Sequence, residues 1–177
     1  MIDIDTTEVE DHNSKKGKKR SKTLNFLLIL SSIYIVMTFS ATLQAVNSGP
    51  LSNNQIEEDT AEFYALVVEL QKNGAGQELT NMVEVMIESS IYQNNEAFYL
   101  SNILRLIELI VGGIGIVLMF QLRKIGFHLY ILYSLLPIAI IYITIPQALI
   151  INLSIIVLVL IGGFFSLLYG SQLKHMK

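Results

Sequence analysis

Four apolar stretches, 24–46, 100–122, 126–146 and 148–170, constrain this chain more than any other feature, because each is almost free of charge and long enough to cross a hydrocarbon core of about 30 Å as a helix. Backbone N–H and C=O groups facing lipid find no water to bond, so each span must satisfy them internally, which a helix does. The rest of the composition agrees: of 177 residues, 52% are hydrophobic and 15% charged, and the mean hydropathy is +0.52. A soluble domain needs a more polar surface. The expected fold class is all-α, a four-span transmembrane helical bundle with an extracytoplasmic amphipathic helical hairpin.

The formal net charge of -3 conceals a segregation of sign. Lys15, Lys16, Lys18, Lys19, Arg20 and Lys22 precede the first span, Arg123 and Lys124 lie between the second and third, and Lys174 and Lys177 follow the last, so that ten of the twelve basic residues share one side. The positive-inside rule makes that side cytoplasmic, with both termini inside: a tail at 1–23, a basic turn at 123–125 and a tail at 171–177. Residues 47–99, with nine acids from Glu57 to Glu96 against Lys72 alone, then form an extracytoplasmic loop, and position 147 marks a second, external turn beside Pro146. The stretch 24–46 exceeds the roughly 7–15 residues of a signal core, which favours a retained anchor. The basic run 15–22 is short, lacks interleaved aromatics and abuts a span; attraction to anionic headgroups explains it better than nucleic acid does.

Cysteine is absent, which excludes disulfide exchange, thiolate catalysis and cysteine-ligated iron or zinc. His12, His128 and His175 have no metal-ligand spacing, the acids do not form an EF-hand loop, and no nucleophile with a matching base, zinc-protease helix or dinucleotide loop is present. The expectation is a non-enzymatic protein with no metal and no cofactor.

The acidic loop carries two amphipathic patterns. Ile56, Phe63, Leu66, Val67 and Leu70 recur at mostly helical intervals over 53–73, opened by Ser52 and Gln55 in capping-box spacing and stopped by Asn73–Gly74–Ala75–Gly76. Leu79, Met82, Val83, Met86, Ile87 and Ile91 make the clearer second stripe. Two such helices can pair as a hairpin, cap the bundle or bind a partner, and their acidity disfavours simple attachment to anionic lipid. Ile56, Phe63, Val67, Leu70, Leu79, Met82, Val83, Met86, Ile87 and Ile91 are the expected partner-binding set.

Within the spans, Arg105 and Glu108 stand three residues apart, which places them on one helix face as either a structural ion pair or an intramembrane polar site. Gly112 and Gly115 in the second span, and Gly162 and Gly163 in the fourth, are expected helix-packing surfaces, and pairing of the two regions would close the bundle. Pro137, among Tyr130, Tyr133 and Tyr142, removes a helix hydrogen bond and offers a bend, useful either for packing or for a lipid or quinone pocket. Asn152 is the main polar residue of the fourth span and calls for a partner in the bundle.

The segment Gln121–Leu122–Arg123–Lys124–Ile125–Gly126–Phe127–His128–Leu129–Tyr130, together with Gly112–Gly113–Ile114–Gly115–Ile116–Val117–Leu118–Met119–Phe120, resembles small multispan inner-membrane proteins of the Bacteroidota type. The resemblance covers the second and third spans. It implies a bacterial inner-membrane location and brings no active residues with it.

The function expected from these features is a non-enzymatic integral membrane subunit that assembles or stabilises a complex, through another integral membrane protein or self-association within bilayer lipids. The alternative is a small-solute or proton transport component using Glu108 and Arg105.

Overall fold

The computed structural model describes residues 21–176, so the acidic segment 1–14, His12, most of the basic run and Lys177 lie outside the described residues. Among the described residues there are six α-helices: α1 (Lys22–Ser48), α2 (Asn53–Lys72), α3 (Gln77–Asn95), α4 (Phe98–Phe120), α5 (Lys124–Thr144) and α6 (Asn152–Gly170). Helices α1, α4, α5 and α6 are long and apolar enough to cross a membrane. The chain is an all-α, four-span helical bundle with a multi-pass topology.

Local chemistry sets the helix ends. Ser21 Oγ accepts the Leu24 N–H at 3.0 Å, satisfying one of the orphan donors that open α1. Gly49, at φ 80, and Pro50 stop it. At the end of α4, Leu122 takes a left-handed conformation (φ 59), its N–H bonding Met119 O at 2.9 Å while the Arg123 N–H reaches Leu118 O at 3.0 Å. These two bonds form a Schellman closure on a leucine instead of the usual glycine, and they reverse the chain directly into α5.

The spans pack in the order α1, α4, α5, α6, with α4 and α5 as the central pair. The tightest core lies at the end where α1 begins and α6 finishes, built from Leu24, Leu28, Leu109, Met119, Tyr130, Tyr169 and Met176. Here α1 also meets α6: Ser31 Oγ and the Tyr169 hydroxyl are 2.8 Å apart, and Ser21 Oγ donates to Gln172 Oε1 at 2.5 Å. Beyond it a cavity lies between α1, α4, α5 and α6. Their outer faces stay apolar and exposed, Val36, Met37, Leu160 and Leu167 among them, as lipid solvation allows.

Helices α2 and α3 pack as a hairpin around Val67, Val83 and Ile87, with Leu70 and Ile91 against them. The Ser52 N–H donates to Gln55 Oε1 at 3.0 Å, and Gly74 at φ 70 ends α2, both as the sequence spacing leads one to expect. Asn94 closes the base of the hairpin, tying the end of α3 to the segment before α2: Leu51 N donates to its Oδ1 at 2.8 Å and its Nδ2 donates to Leu51 O at 3.1 Å. Asn94→Ala removes both bonds, each contributing about 0.5–1.5 kcal/mol. Hydrogen exchange of the α2 and α3 amides is expected to accelerate by about tenfold, with α4 and α5 unchanged. Unchanged exchange in the hairpin would show that this clamp does not hold it.

Two sequence expectations are corrected. The fourth span starts at Asn152 rather than 148, because Pro146 opens a 3-10 turn at Gln147–Leu149; this leaves Asn152 in the first, exposed turn of α6, with no need of a buried partner. The glycines of α4 do not pair with those of α6. A Cβ on Gly115 would lie 3.2 Å from Gly126 O on α5, one on Gly112 would meet the Tyr133 ring, and one on Gly162 would meet Ser134 of α5, whereas one on Gly163 would meet nothing within 4 Å. The short reversal at Leu122 forces α4 and α5 to cross closely beside it, so the small residues are spent there.

Candidate functional site

Glu108 lies ten residues into α4, about 15 Å along its axis, near the middle of a core about 30 Å thick. It is 1% exposed, and a buried carboxylate at that depth is costly without a partner. Arg105, one turn earlier on the same face, supplies one: its Nη1 donates to Glu108 Oε1 at 3.1 Å and to Oε2 at 2.9 Å. Its Nη2 donates to the Tyr34 hydroxyl of α1 at 3.1 Å. The Arg105 side chain is 31% exposed, so the pair presents its guanidinium and hides its carboxylate.

Arg105 lines two open cavities. Two cavities meet at Arg105, Glu108, Pro137 and Leu158. The first, about 530 Å³, lies toward the hairpin and is walled by Thr42, Ser90, Gln93, Asn94, Ser101 and Asn102. The second, about 450 Å³, continues between the four spans and is mostly apolar, with Ile35, Ile161 and Phe165 beside Tyr34, Tyr130 and Tyr133. Its floor is the closed end of the bundle, where the Tyr130 and Tyr169 rings stand 4.5 Å apart. The ion pair thus lies between a vestibule of mixed polar and apolar walls, Phe98, Ile140 and Ile141 among them, and an apolar chamber.

Gly112 and Pro137 shape the chamber. Gly112 is one turn beyond Glu108 on the same face, and the Tyr133 ring occupies the space its missing side chain leaves. Pro137 has no N–H to return to the Tyr133 carbonyl, which loosens α5 at the wall shared by both cavities. The sequence pointed to the Arg105–Glu108 pair, to Gly112 and to Pro137 separately, and the structure gathers them at one place. Sequence reasoning missed Tyr34, whose polar tip within an otherwise apolar span was the available signal, and it missed Asn102, which lies one turn before Arg105 on α4.

The expected partner-binding residues divide. Val67, Val83 and Ile87 are buried in the interface between α2 and α3, Leu70 and Ile91 pack against them, and Ile56 is also buried, so these six are occupied within the chain. Phe63, Leu79 and Met86 remain exposed, and Met82 lines a shallow groove between α3 and the turn before α6. Among the described residues, no group of three or more His, Asp or Glu side chains is placed to hold a metal ion. Comparison with family models, with curated proteins and with solved structures gave no match.

Proposed function

We propose that this chain is a membrane transport component in which Glu108 and Arg105 form the binding or proton-transfer site for a small solute. The observation that carries this reading is a carboxylate at mid-span, 1% exposed, whose guanidinium partner lines two adjoining cavities. Ionisable groups inside a span are expensive, and a water-reachable pair is the arrangement in which that cost serves passage. The vestibule gives access from the hairpin end, while the Ser31–Tyr169 and Ser21–Gln172 contacts seal the other, so passage requires those contacts to open. By the positive-inside argument the hairpin end is extracytoplasmic and the sealed end cytoplasmic; a bacterial inner membrane is the proposed location.

Reconstituted vesicles under an imposed proton gradient test this reading. Wild-type protein is expected to move protons above the rate of empty vesicles, and Glu108→Gln to lower that rate by about two orders of magnitude or more. Equal flux in wild type and empty vesicles, with and without small organic solutes, would end the proposal.

Exposed apolar side chains on the hairpin, Phe63, Tyr64, Leu66, Leu79 and Met86, support a second, non-enzymatic reading as an assembly subunit of a membrane complex. Native mass measurement after mild extraction distinguishes it: a stoichiometric protein partner or self-association supports assembly, and a monomer carrying only lipid opposes it.

A further inference from the structure

We propose that the ligand of this site is a small organic monoanion with an apolar body, a carboxylate, which replaces Glu108 on Arg105 as Glu108 takes up a proton. The inference rests on the transport reading for its setting and adds the class of substrate and the charge balance.

The charge count selects the anion and the proton together. Arg105 and Glu108 form a neutral unit in a place where net charge is costly. A second anion arriving at the intact pair would leave one uncompensated negative charge, and a cation one positive charge. If Glu108 accepts a proton as the anion arrives, the guanidinium passes from one carboxylate to another and the site stays neutral: one proton and one anion enter, no covalent bond between heavy atoms changes, and the Arg105 charge is constant. Geometry permits the exchange. The guanidinium carries five N–H donors in a planar fork suited to a carboxylate, and it, rather than Glu108, is the exposed member of the pair.

The two cavities fix the rest of the ligand. A head on Arg105 has the vestibule on one side, with Ser101 and Asn102 in the wall, and the apolar chamber on the other. The chamber's 450 Å³ accommodates a ring or short chain among Ile35, Tyr133, Ile161 and Phe165. An inorganic anion would leave it unfilled. The titratable groups facing Glu108 are few: Arg105 on its own helix, Tyr34 from α1, and Tyr130 and Tyr133 from α5, while the α6 lining, Leu158, Ile161, Gly162 and Phe165, contains none. Glu108 is the one carboxylate among them, which makes it the group that takes the proton.

Titration calorimetry of the purified full chain with benzoate, in buffers of different ionisation heat, counts the protons. The expected result is uptake of one proton per benzoate bound where Glu108 is ionised, with affinity rising about tenfold per pH unit of acidification. Glu108→Gln is expected to bind benzoate without proton uptake and without that pH dependence, and benzamide, which has the same shape without the charge, is expected not to bind. Binding of benzoate with no proton uptake, equal binding of benzamide, or no binding of benzoate at any pH would each overturn the inference. Where the Gln variant does not fold, the wild-type proton count alone decides. Glu108-dependent proton flux without benzoate binding removes the ligand class and keeps the transport reading, whereas proton-linked binding without flux does the reverse.

Discussion

Arg105→Ala is expected to destabilise the protein by about 3–5 kcal/mol, because it strands a carboxylate inside the bundle. Glu108 is 1% exposed, and Arg105 is its ion-pair partner among the described residues. Glu108→Gln is expected to cost less. The amide is neutral, and the guanidinium left behind is 31% exposed toward cavities that water can enter. The double replacement Arg105→Met with Glu108→Leu removes both charges and is expected to return to within about 1 kcal/mol of wild type or to exceed it, since buried pairs often break even against apolar residues of similar volume. Thermal unfolding in detergent, followed by loss of helical circular dichroism and by recovery on gel filtration, ranks the three. Full stability of Arg105→Ala would mean that Glu108 is neutral at rest, and the charge balance of the proposed exchange would fail with it.

This ranking separates structure from use. A pair kept only for packing would leave the double variant folded and every function intact. A pair that handles a proton or an anion leaves that variant folded and inactive. Stability and flux, measured on the same three proteins, therefore answer different questions about the same two side chains.

The spans, the two loop helices and the ion pair were legible in the sequence because each is a local pattern: long apolar runs, helical stripes in 53–91, and two charges three residues apart. The turn chemistry was legible for the same reason, as Ser52 with Gln55 and Gly74 show. What the sequence left open was which faces meet. Glycine at Gly162 and Gly163 reads the same whether its neighbour is α4 or α5, and only the tight reversal at Leu122 decides that α4 gives its small-residue face to α5. The cavities were illegible because their walls come from separate elements: Tyr34, Arg105, Tyr133 and Leu158 are far apart in the chain. The division of the hairpin stripe is a similar case. Periodicity identifies Val67 and Phe63 as apolar and helical, but not that the first is buried and the second 45% exposed.

Gly126→Ala is expected to produce a large loss for the addition of one methyl group, because the crossing of α4 and α5 leaves no room for it. An added Cβ would lie 2.6 Å from Gly115 O, 2.6 Å from Met119 N and 2.8 Å from Met119 Cγ. Two of these three are backbone atoms, which cannot rotate away as a side chain does, so the helices must separate. Overpacking of this kind costs about 1–3 kcal/mol. Gly115→Ala is expected to cost less, since its nearest contact would be 3.2 Å, and Gly113→Ala, with nothing within 4 Å, is expected to be neutral or to gain about 0.5–1 kcal/mol from the lower backbone entropy of alanine. The effect also reaches the site: α4 carries Arg105 and Glu108, α5 carries Tyr133 and Pro137, and the crossing fixes their mutual height. Gly126→Ala should therefore weaken ligand binding even in the fraction that folds, whereas Gly113→Ala should leave it unchanged. Unfolding midpoints of the three alanine variants, measured under one detergent condition, give the order. If Gly126→Ala matches wild type while Gly113→Ala loses stability, α4 presents its other face to α5, and the arrangement of the site falls with the crossing.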